Sequence, residues 1–260
     1  VFFLGLTKKK MGVESCRASP APPVGRPPPR RGAKGAASRH QPSCWMRTAG
    51  SSRKNSVSRL WQVKRRTWRL SASCRRKRRA AAQRLSDNYP QIPFPEGWKA
   101  NLLGVDLNLQ YPAGWLRARE IKFSQGYTRP GPRDYVGRAP LNQRESIALA
   151  DFTQEIDPAL VLAYHTQGKV IYWKFQDYEV PGARELGEEF ARLSGYELAD
   201  TPYESSFAGY KDWFIQKFRR PGYTIEAGSG RNPLPIEQFP EIYRDNLGIL
   251  VTAALGLPGQ

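Results

Sequence analysis

The chain has 260 residues, with 41 lysines and arginines against 23 acidic residues and a formal net charge of +18. A chain of this length holds one sizeable core, or one domain with a tail, which excludes several large domains. The charge is uneven, because residues 1–87 hold 23 basic and two acidic residues, whereas residues 88–260 hold 18 basic and 21 acidic residues. The high average charge therefore describes only the first third of the chain.

Residues 1–85 have the composition of a low-complexity basic segment. They include a proline-rich run at 20–29 and a basic run at 75–79, and their sparse apolar residues show no sustained period. Such a segment buries too little apolar surface to offset the entropy of folding, so we predict that it is disordered. A second interpretation is a nucleic-acid-binding arm, in which arginines contact phosphates while Trp61 and Trp68 stack on bases.

A third interpretation is that this segment results from translation in the wrong reading frame. Its enrichment in Arg, Pro, Ala, Gly and Ser, with almost no acids, is typical of a GC-rich gene read out of frame. The composition favours this interpretation over the two others. We therefore predict a disordered or out-of-frame basic segment at 1–85 and a domain at 86–260.

From residue 86 the sequence is typical of a globular protein. Residues 102–108 suit a short strand that ends in a polar turn. Asn142 followed by Glu145 resembles the start of a helix. The predicted apolar face of that helix consists of Ile147, Ala148, Phe152 and Ile156.

Two strands are predicted next. The run Leu160-Val-Leu-Ala-Tyr-His165 is apolar and is followed by Gly168, which predicts a buried strand. Residues 169–175 are predicted to form its neighbour in the sheet, across a tight turn at Gln167-Gly168.

The C-terminal part alternates between helices and strands. Residues 182–193 predict a charged helix that ends at Gly195, and residues 236–255 predict a terminal helix. Between them, residues 223–226 predict a short strand. An amphipathic helix is indicated by the spacing of Phe207, Tyr210, Phe214 and Phe218. This alternation predicts an α/β fold with a largely buried sheet.

Two residues at predicted strand ends could carry chemistry. His165 ends one strand, and the other histidine of the chain, His40, lies in the basic segment. Glu226 ends another strand before a glycine-rich loop, where partial burial would raise the pKa of its carboxyl toward that of a general base. An exposed strand-end glutamate fits the same pattern, so both interpretations of Glu226 stay open.

Three further polar residues are candidates. Asp106 and Asn108 could point together into a cleft, or they could serve only the turn in which they lie. Lys99 could supply positive charge to a developing oxyanion, or it could be solvated. Each signal is weak when it is taken alone.

Five motifs follow one another along residues 88–260. They are Trp98-Lys-Ala-Asn-Leu-Leu-Gly-Val-Asp-Leu-Asn-Leu-Gln-Tyr-Pro-Ala113, Tyr164-His-Thr-Gln-Gly168, Gly209-Tyr-Lys-Asp-Trp213, Pro221-Gly-Tyr-Thr-Ile-Glu226 and Asn232-Pro-Leu-Pro235. In this order they resemble the zinc metallocarboxypeptidase family, and most closely its bacterial γ-D-glutamyl-diamino-acid endopeptidases, which cut peptidoglycan stem peptides. The resemblance implies the C-terminal portion of a mixed sheet with flanking helices.

The resemblance implies a role for each candidate residue. His165 corresponds to the third zinc ligand, and Glu226 to the general base that activates zinc-bound water against the scissile amide. Asn108 corresponds to the residue that contacts the terminal carboxylate of a peptide or muropeptide. Lys99 stands where many members carry an arginine that stabilises the oxyanion. Tyr203 corresponds, one position out of register, to a tyrosine that covers the substrate.

Two departures from the family pattern decide what we expect of this chain. Leu109 stands where many members carry an arginine that grips a C-terminal carboxylate, which favours muropeptide cleavage over C-terminal trimming. The His-x-x-Glu motif that supplies the family's first two zinc ligands occurs nowhere in the sequence. The three cysteines, at spacings of 28 and 30 residues, match no zinc motif either.

A catalytic zinc of this type needs three protein ligands, and one imidazole does not hold the metal at useful affinity. We therefore expect an inactive portion of a zinc peptidase. One alternative is a non-catalytic protein that binds cell-wall peptides through Asn108, Lys99 and Tyr203. The other is nucleic-acid binding through the basic segment. The sequence leaves the compartment and the oligomeric state open.

Overall fold

A computed structural model of the protein describes residues 2–6 and 72–256, and within them the strands form a mixed sheet. The strands are β1 (Phe2–Leu6), β2 (Leu160–His165), β3 (Val170–Tyr172), β4 (Glu197–Ala199) and β5 (Gly222–Glu226). Their order across the sheet is β1-β2-β5-β3-β4. The pairs β2–β5 and β3–β4 are parallel, and the other two pairs are antiparallel.

Helices flank this sheet. They are α1 (Ala72–Ser86), α2 (Trp115–Ser124), α3 (Arg144–Ile156), α4 (Ala183–Ser194), α5 (Tyr210–Phe218) and α6 (Phe239–Leu255). Short 3₁₀ turns lie at Leu107–Leu109, Tyr203–Ser205 and Ile236–Gln238. No helix in this part of the chain is long and apolar enough to cross a membrane.

The two faces of the sheet pack against different helices. On one face, Val161 and Ala163 of β2 belong to a core that contains the buried aromatic residues of α5. On the other face, Leu160 and Leu162 belong to a core formed with α4 and α6. Because successive side chains of a strand point to opposite faces, His165 lies on the same face as Val161 and Ala163. The alternation of side chains along β2 thus places His165 on the face of the sheet that packs against α5.

The structure confirms the α/β fold and most of the predicted elements. β2, α4, α5, β5 and the terminal helix lie where the sequence indicates them. Gly195 ends α4 in the left-handed conformation with φ 71°, and its N–H donates to the carbonyl of Ala191. A glycine is favoured at that position because a side chain would strain the backbone.

The predicted pairing of β2 with the strand that follows it is wrong. β3 pairs instead with β5, where Ile171 lies opposite Ile225, and β5 separates β3 from β2. The connection carries the chain across the end of β5, where the N–H groups of Gly168 and Lys169 donate to carbonyls of the chain that leaves β5. Gln167 and Gly168 therefore belong to a connection that crosses the end of β5, and not to a two-residue hairpin turn.

The predicted strand at 102–108 is also wrong. This region is a turn followed by the 3₁₀ segment Leu107–Leu109. The side chain of Asn101 accepts hydrogen bonds from the N–H groups of Leu103 and Val105, and the side chain of Asp106 accepts one from the N–H of Asn108. Such local side-chain bonds compete with a strand ladder for the backbone donors.

Helix α3 is present as predicted, but its predicted apolar face is wrong. Ile147 and Phe152 are 38% and 47% exposed, whereas the buried positions are Ser146, Ala150 and Thr153. The hydroxyls of Thr153 and Tyr210 lie 2.8 Å apart, so α3 meets α5 through small and polar side chains. Side-chain size decides this contact more than hydrophobicity does.

Most of the segment 1–85 lies outside the described residues, and so do Trp61, Trp68 and His40. The two described pieces, β1 and most of α1, are regular elements where the composition predicts disorder. β1 pairs with β2 through Phe2–Leu6, and the alanines and arginines of α1 favour a helix. The boundary at residue 85 and the out-of-frame interpretation stay predictions.

Candidate functional site

His165 and Glu226 form a pair at one edge of the sheet, which we call the strand-end pair. They are the last residues of the parallel strands β2 and β5, and they lie opposite each other in the register. The N–H of Ala227 donates to the carbonyl of His165 at 2.9 Å, which fixes the two backbones at this point. Since the strands are parallel and in register, both side chains emerge on the same face.

The loops that leave the two strands are tied to each other. The hydroxyl of Thr166 donates to the side-chain oxygen of Asn232 at 2.8 Å, and the amide nitrogen of Asn232 donates to the carbonyl of Thr166 at 2.9 Å. Lys169 lies 2.7 Å from the carboxylate of Glu241, at the start of α6. This network holds the edge of the sheet around the strand-end pair.

Burial drives both members of the strand-end pair toward their neutral forms. Burial lowers the pKa of His165 to about 4, and the positive charge of Lys99 acts in the same direction. Burial raises the pKa of Glu226 to about 7, partly offset by the attraction of Lys99. The imidazole is therefore neutral near pH 7, and the carboxyl is close to half-ionised, as suits a general base. Lys99 lies near enough to act electrostatically on both residues.

Asp106 organises the polar residues next to the strand-end pair. It is 1% exposed, and its carboxylate accepts hydrogen bonds from the N–H groups of Asn108 and Asp134, each at 3.1 Å. The ammonium of Lys99 lies 3.2 Å from the same carboxylate. The attraction of Asp106 raises the pKa of Lys99, which therefore stays charged. Asp106 is a buried positioning residue for Lys99 and Asn108.

A cavity of about 240 Å³ opens beside Lys99 and Asn108. We call it the cationic pocket and define it by Lys99, Asn108, Lys122, Arg133 and Asp134, which all line it. The carboxylate of Asp134 lies 3.0 Å from Lys122 and 2.7 Å from Arg133. Burial opposes ionisation of Asp134, but Lys122, Arg133 and Lys99 together hold the pKa of its carboxyl below the ordinary value.

Sequence reasoning singled out two residues of the cationic pocket, Lys99 and Asn108, and missed the other three. Lys122 lies near the end of α2, a helix that the sequence did not indicate. Arg133 and Asp134 lie in a loop, where no periodic pattern marks them. The available signal was the adjacent pair Arg133-Asp134 in a region rich in glycine and proline.

Tyr203 is not among the residues that line the cationic pocket, although Ser205, two positions later, is. The side chain of Tyr203 is 56% exposed, and its hydroxyl accepts a hydrogen bond from Nε of Arg117 at 3.2 Å. The ring of Tyr203 packs edge-on against Phe207. The role of a substrate-covering residue therefore stays a prediction for Tyr203.

Comparison with known proteins identifies a protein family that this chain matches. The family model described as zinc carboxypeptidase matches residues 50–248, so the match begins inside the segment predicted to be basic and out of frame. Gamma-D-glutamyl-L-diamino acid endopeptidase 1 from Lysinibacillus sphaericus is 55% identical over 155 residues, which are 60% of this chain and 38% of that protein. The uncharacterized protein YqgT from Bacillus subtilis (strain 168) is 42% identical over 173 residues, which are 66% of this chain and 44% of that protein.

The aligned part of the chain thus spans less than half the length of each of these curated relatives. Similarity to solved structures is weaker. The murein-tripeptide amidase MpaA from Escherichia coli O157 is 22% identical with a TM-score of 0.42, over 62% of each chain. Thrombin activatable fibrinolysis inhibitor is 17% identical with a TM-score of 0.44, over 58% of this chain and 41% of that chain.

The described residues do not fit a catalytic zinc ion. Such a site needs three protein ligands, and the strand-end pair offers one imidazole and one carboxylate. No group of three histidine, cysteine, aspartate or glutamate side chains within residues 73–256 is placed to hold a metal ion. His165 is the one histidine of the chain within this range. The zinc of the family therefore lacks its ligands in the described part of this chain.

Proposed function

Because the chain belongs to the zinc carboxypeptidase family, we propose that residues 86–260 bind a peptidoglycan stem peptide along the strand-end pair and the cationic pocket, without hydrolysing it. One observation carries this proposal. The buried carboxylate of Asp106 lies 3.2 Å from the ammonium of Lys99 and accepts a hydrogen bond from the backbone N–H of Asn108. Among the described residues, no group of three possible metal ligands includes the neighbouring His165. These contacts of the described residues support a peptide-binding site and do not support a zinc site.

The substrate class follows from the relative with the highest identity of the two. The name of that protein describes an endopeptidase for the bond between a γ-linked D-glutamyl residue and an L-diamino acid. A γ-linked glutamyl residue keeps its α-carboxyl group outside the peptide bond, so such a peptide carries a free carboxylate directly beside that bond. The cationic pocket beside Asn108 suits a ligand of this charge, which supports the transfer of the substrate class to this chain.

Each candidate residue has a defined part in this proposal. Asn108 presents an amide to a carboxylate of the peptide, and Lys99 brings positive charge to a carbonyl or carboxylate oxygen. Tyr203 covers the peptide from the surface. The family roles of His165 as a zinc ligand and of Glu226 as a general base need further metal ligands, which the described residues do not supply. In this chain we therefore propose that these two residues only border the bound peptide.

The test uses the full chain and the synthetic peptide N-acetyl-γ-D-glutamyl-L-lysine. Calorimetry is expected to show binding that is the same with equimolar zinc and with a chelator, and mass spectrometry is expected to show no cleavage in either condition. Asn108→Ala is expected to weaken binding about tenfold, because it removes the amide that faces the carboxylate. Asn88→Ala, at an exposed position after α1, is the matched control and is expected to leave the affinity unchanged.

Two outcomes would contradict the proposal. Cleavage that appears with zinc and disappears in Glu226→Gln would show that the chain is an active enzyme. Absence of peptide binding, or equal weakening by Asn108→Ala and Asn88→Ala, would show that the peptide site is not formed by these residues.

A further inference from the structure

The cationic pocket contains more positive charge than its acidic residues neutralise. Three cations, Lys99, Lys122 and Arg133, face two carboxylates, those of Asp106 and Asp134. Each cation lies within 3.2 Å of one of these carboxylates. Among these five side chains one positive charge is left over, next to a cavity of about 240 Å³. A pocket built only to neutralise its own acids would not need the third cation.

Ion pairs with Asp134 fix the positions of Lys122 and Arg133. Asp134 is 8% exposed, and its N–H is held by the carboxylate of Asp106. Asp134 in turn contacts both Lys122, whose side chain is only 13% exposed, and Nε of Arg133. A ligand that enters the pocket therefore meets cations that are already oriented, so binding costs little further ordering of side chains.

The contact between Arg133 and Asp134 leaves the guanidinium suited to a second anion. Nε of Arg133 donates a hydrogen bond to the carboxylate of Asp134 at 2.7 Å. A guanidinium carries four further N–H donors on its two terminal nitrogens. These donors form a planar fork that matches the two oxygens of a carboxylate. The side chain of Arg133 is 44% exposed, so the fork is accessible from solvent.

The part of the pocket lined by Asn108 and Leu109 carries no charge, so the positive charge of the pocket comes from other residues. Asn108 lines the cavity, and the next residue, Leu109, brings an apolar side chain and no charge. Lys122, from the last turn of α2, and Arg133, from the loop before Asp134, reach the same cavity. Lys122 and Arg133, from two different segments, thus add positive charge to a cavity at which Asn108 presents only a neutral amide.

We infer that Lys122 and Arg133 form a carboxylate-binding subsite, which selects peptides with a free carboxylate next to the bond between the glutamyl residue and the diamino acid. This inference rests on the proposed function, because it names the group of the same peptide that the pocket holds. Two carboxylates of that peptide have the required chemistry. One is the α-carboxylate of the γ-linked glutamyl residue, and the other is the terminal carboxylate of the diamino acid.

The experiment measures calorimetric affinities of the full chain for three forms of N-acetyl-γ-D-glutamyl-L-lysine. One form has both carboxylates free, one is amidated at the glutamyl α-carboxyl, and one is amidated at the terminal carboxyl. We expect one of the amidated forms to bind about tenfold more weakly than the free form. Which of the two is weakened identifies the carboxylate that the subsite holds.

Arg133→Gln is expected to weaken binding of the free peptide about tenfold and to abolish the difference between the free form and the sensitive amidated form. Arg133→Lys keeps the charge without the fork and is expected to retain part of that difference. Arg184→Gln is the matched control, because it removes an arginine that also pairs with a carboxylate, that of Glu188, but on the exposed surface of α4; it is expected to change none of the affinities. The basic segment is common to all these variants and so does not create a difference between them.

Equal affinity of the wild-type chain for all three forms would overturn the inference while leaving the proposed function standing. The same holds if Arg133→Gln weakens all three forms by one factor, since a structural role of Arg133 would do that. If none of the forms binds, the proposed function and the inference fall together. Thermal melts of each variant show whether a lost affinity reflects a lost fold.

Discussion

The strand-end pair and the cationic pocket share Lys99 as a neighbour, but they differ in the protonation states that their surroundings favour. Around His165 and Glu226, burial lowers one pKa and raises the other, so both groups are driven toward neutral forms. In the pocket, ion pairs raise the pKa of Lys99 and lower that of Asp134, so both are held in charged forms. In the pocket the ion pairs outweigh the effect of burial, whereas at the strand-end pair burial outweighs the attraction between Lys99 and Glu226.

The largest effect that we predict on stability comes from the centre of the pocket. Asp106→Ala removes a buried carboxylate that accepts two backbone hydrogen bonds and pairs with Lys99. Its loss leaves two backbone N–H donors without their acceptor, at about 1–3 kcal/mol for each donor, whereas the half-exposed Lys99 can turn to solvent. The free energy of unfolding, from urea titration of the full chain near pH 7, measures this loss.

The strand-end pair provides the contrasting variant. Glu226→Gln replaces a half-buried carboxyl by a neutral group of similar shape, so we expect the unfolding free energy to change by no more than about 1 kcal/mol. Losses of similar size in Asp106→Ala and Glu226→Gln would break the distinction between the two regions.

A smaller effect depends on pH. Asp134 has a lowered pKa, so its contribution to stability is present above the ordinary aspartate pKa of about 3.9 and is lost as pH falls through the folded-state value. Asp134→Asn is expected to cost about 1–3 kcal/mol near pH 7, because it leaves Lys122 and Arg133 without their carboxylate. Asparagine tolerates the positive φ of 64° at this position, so the backbone is preserved.

Unfolding of the two proteins at a series of pH values checks this prediction. The difference in stability between the wild type and Asp134→Asn should be constant at neutral pH and should shrink as the solution is acidified below about pH 4. A difference that stays constant down to pH 2, or that grows on acidification, would contradict the ion pairs assigned to Asp134.

The sequence predicted the fold best where hydrophobic periodicity was strong. β2 and β5, with their terminal His165 and Glu226, were found from apolar runs that end in polar residues and glycine. The order of the strands was not predicted, because adjacent strands in sequence need not be neighbours in a sheet, and β5 enters between β2 and β3. That insertion places His165 beside Glu226 and not beside β3.

The candidate site could be predicted only in part for a related reason. Lys99, Asn108, His165 and Glu226 stood out through motifs of the chain. Lys122 and Arg133 reach the site from a helix and a loop whose sequences carry no periodic signal, and only the fold places them next to Lys99. Charges that come together from distant segments leave no pattern in any one segment, so their cluster appears only in three dimensions.

Zinc binding at His165 tests most directly the claim that this chain has a binding site without a metal site. Calorimetric titration of zinc into the full chain and into His165→Ala should give the same isotherm, because one imidazole and one carboxylate are too few ligands for a catalytic zinc. Any zinc held by residues elsewhere in the chain would appear equally in both proteins. Stoichiometric zinc binding that is present in the wild type and abolished by His165→Ala would contradict the claim.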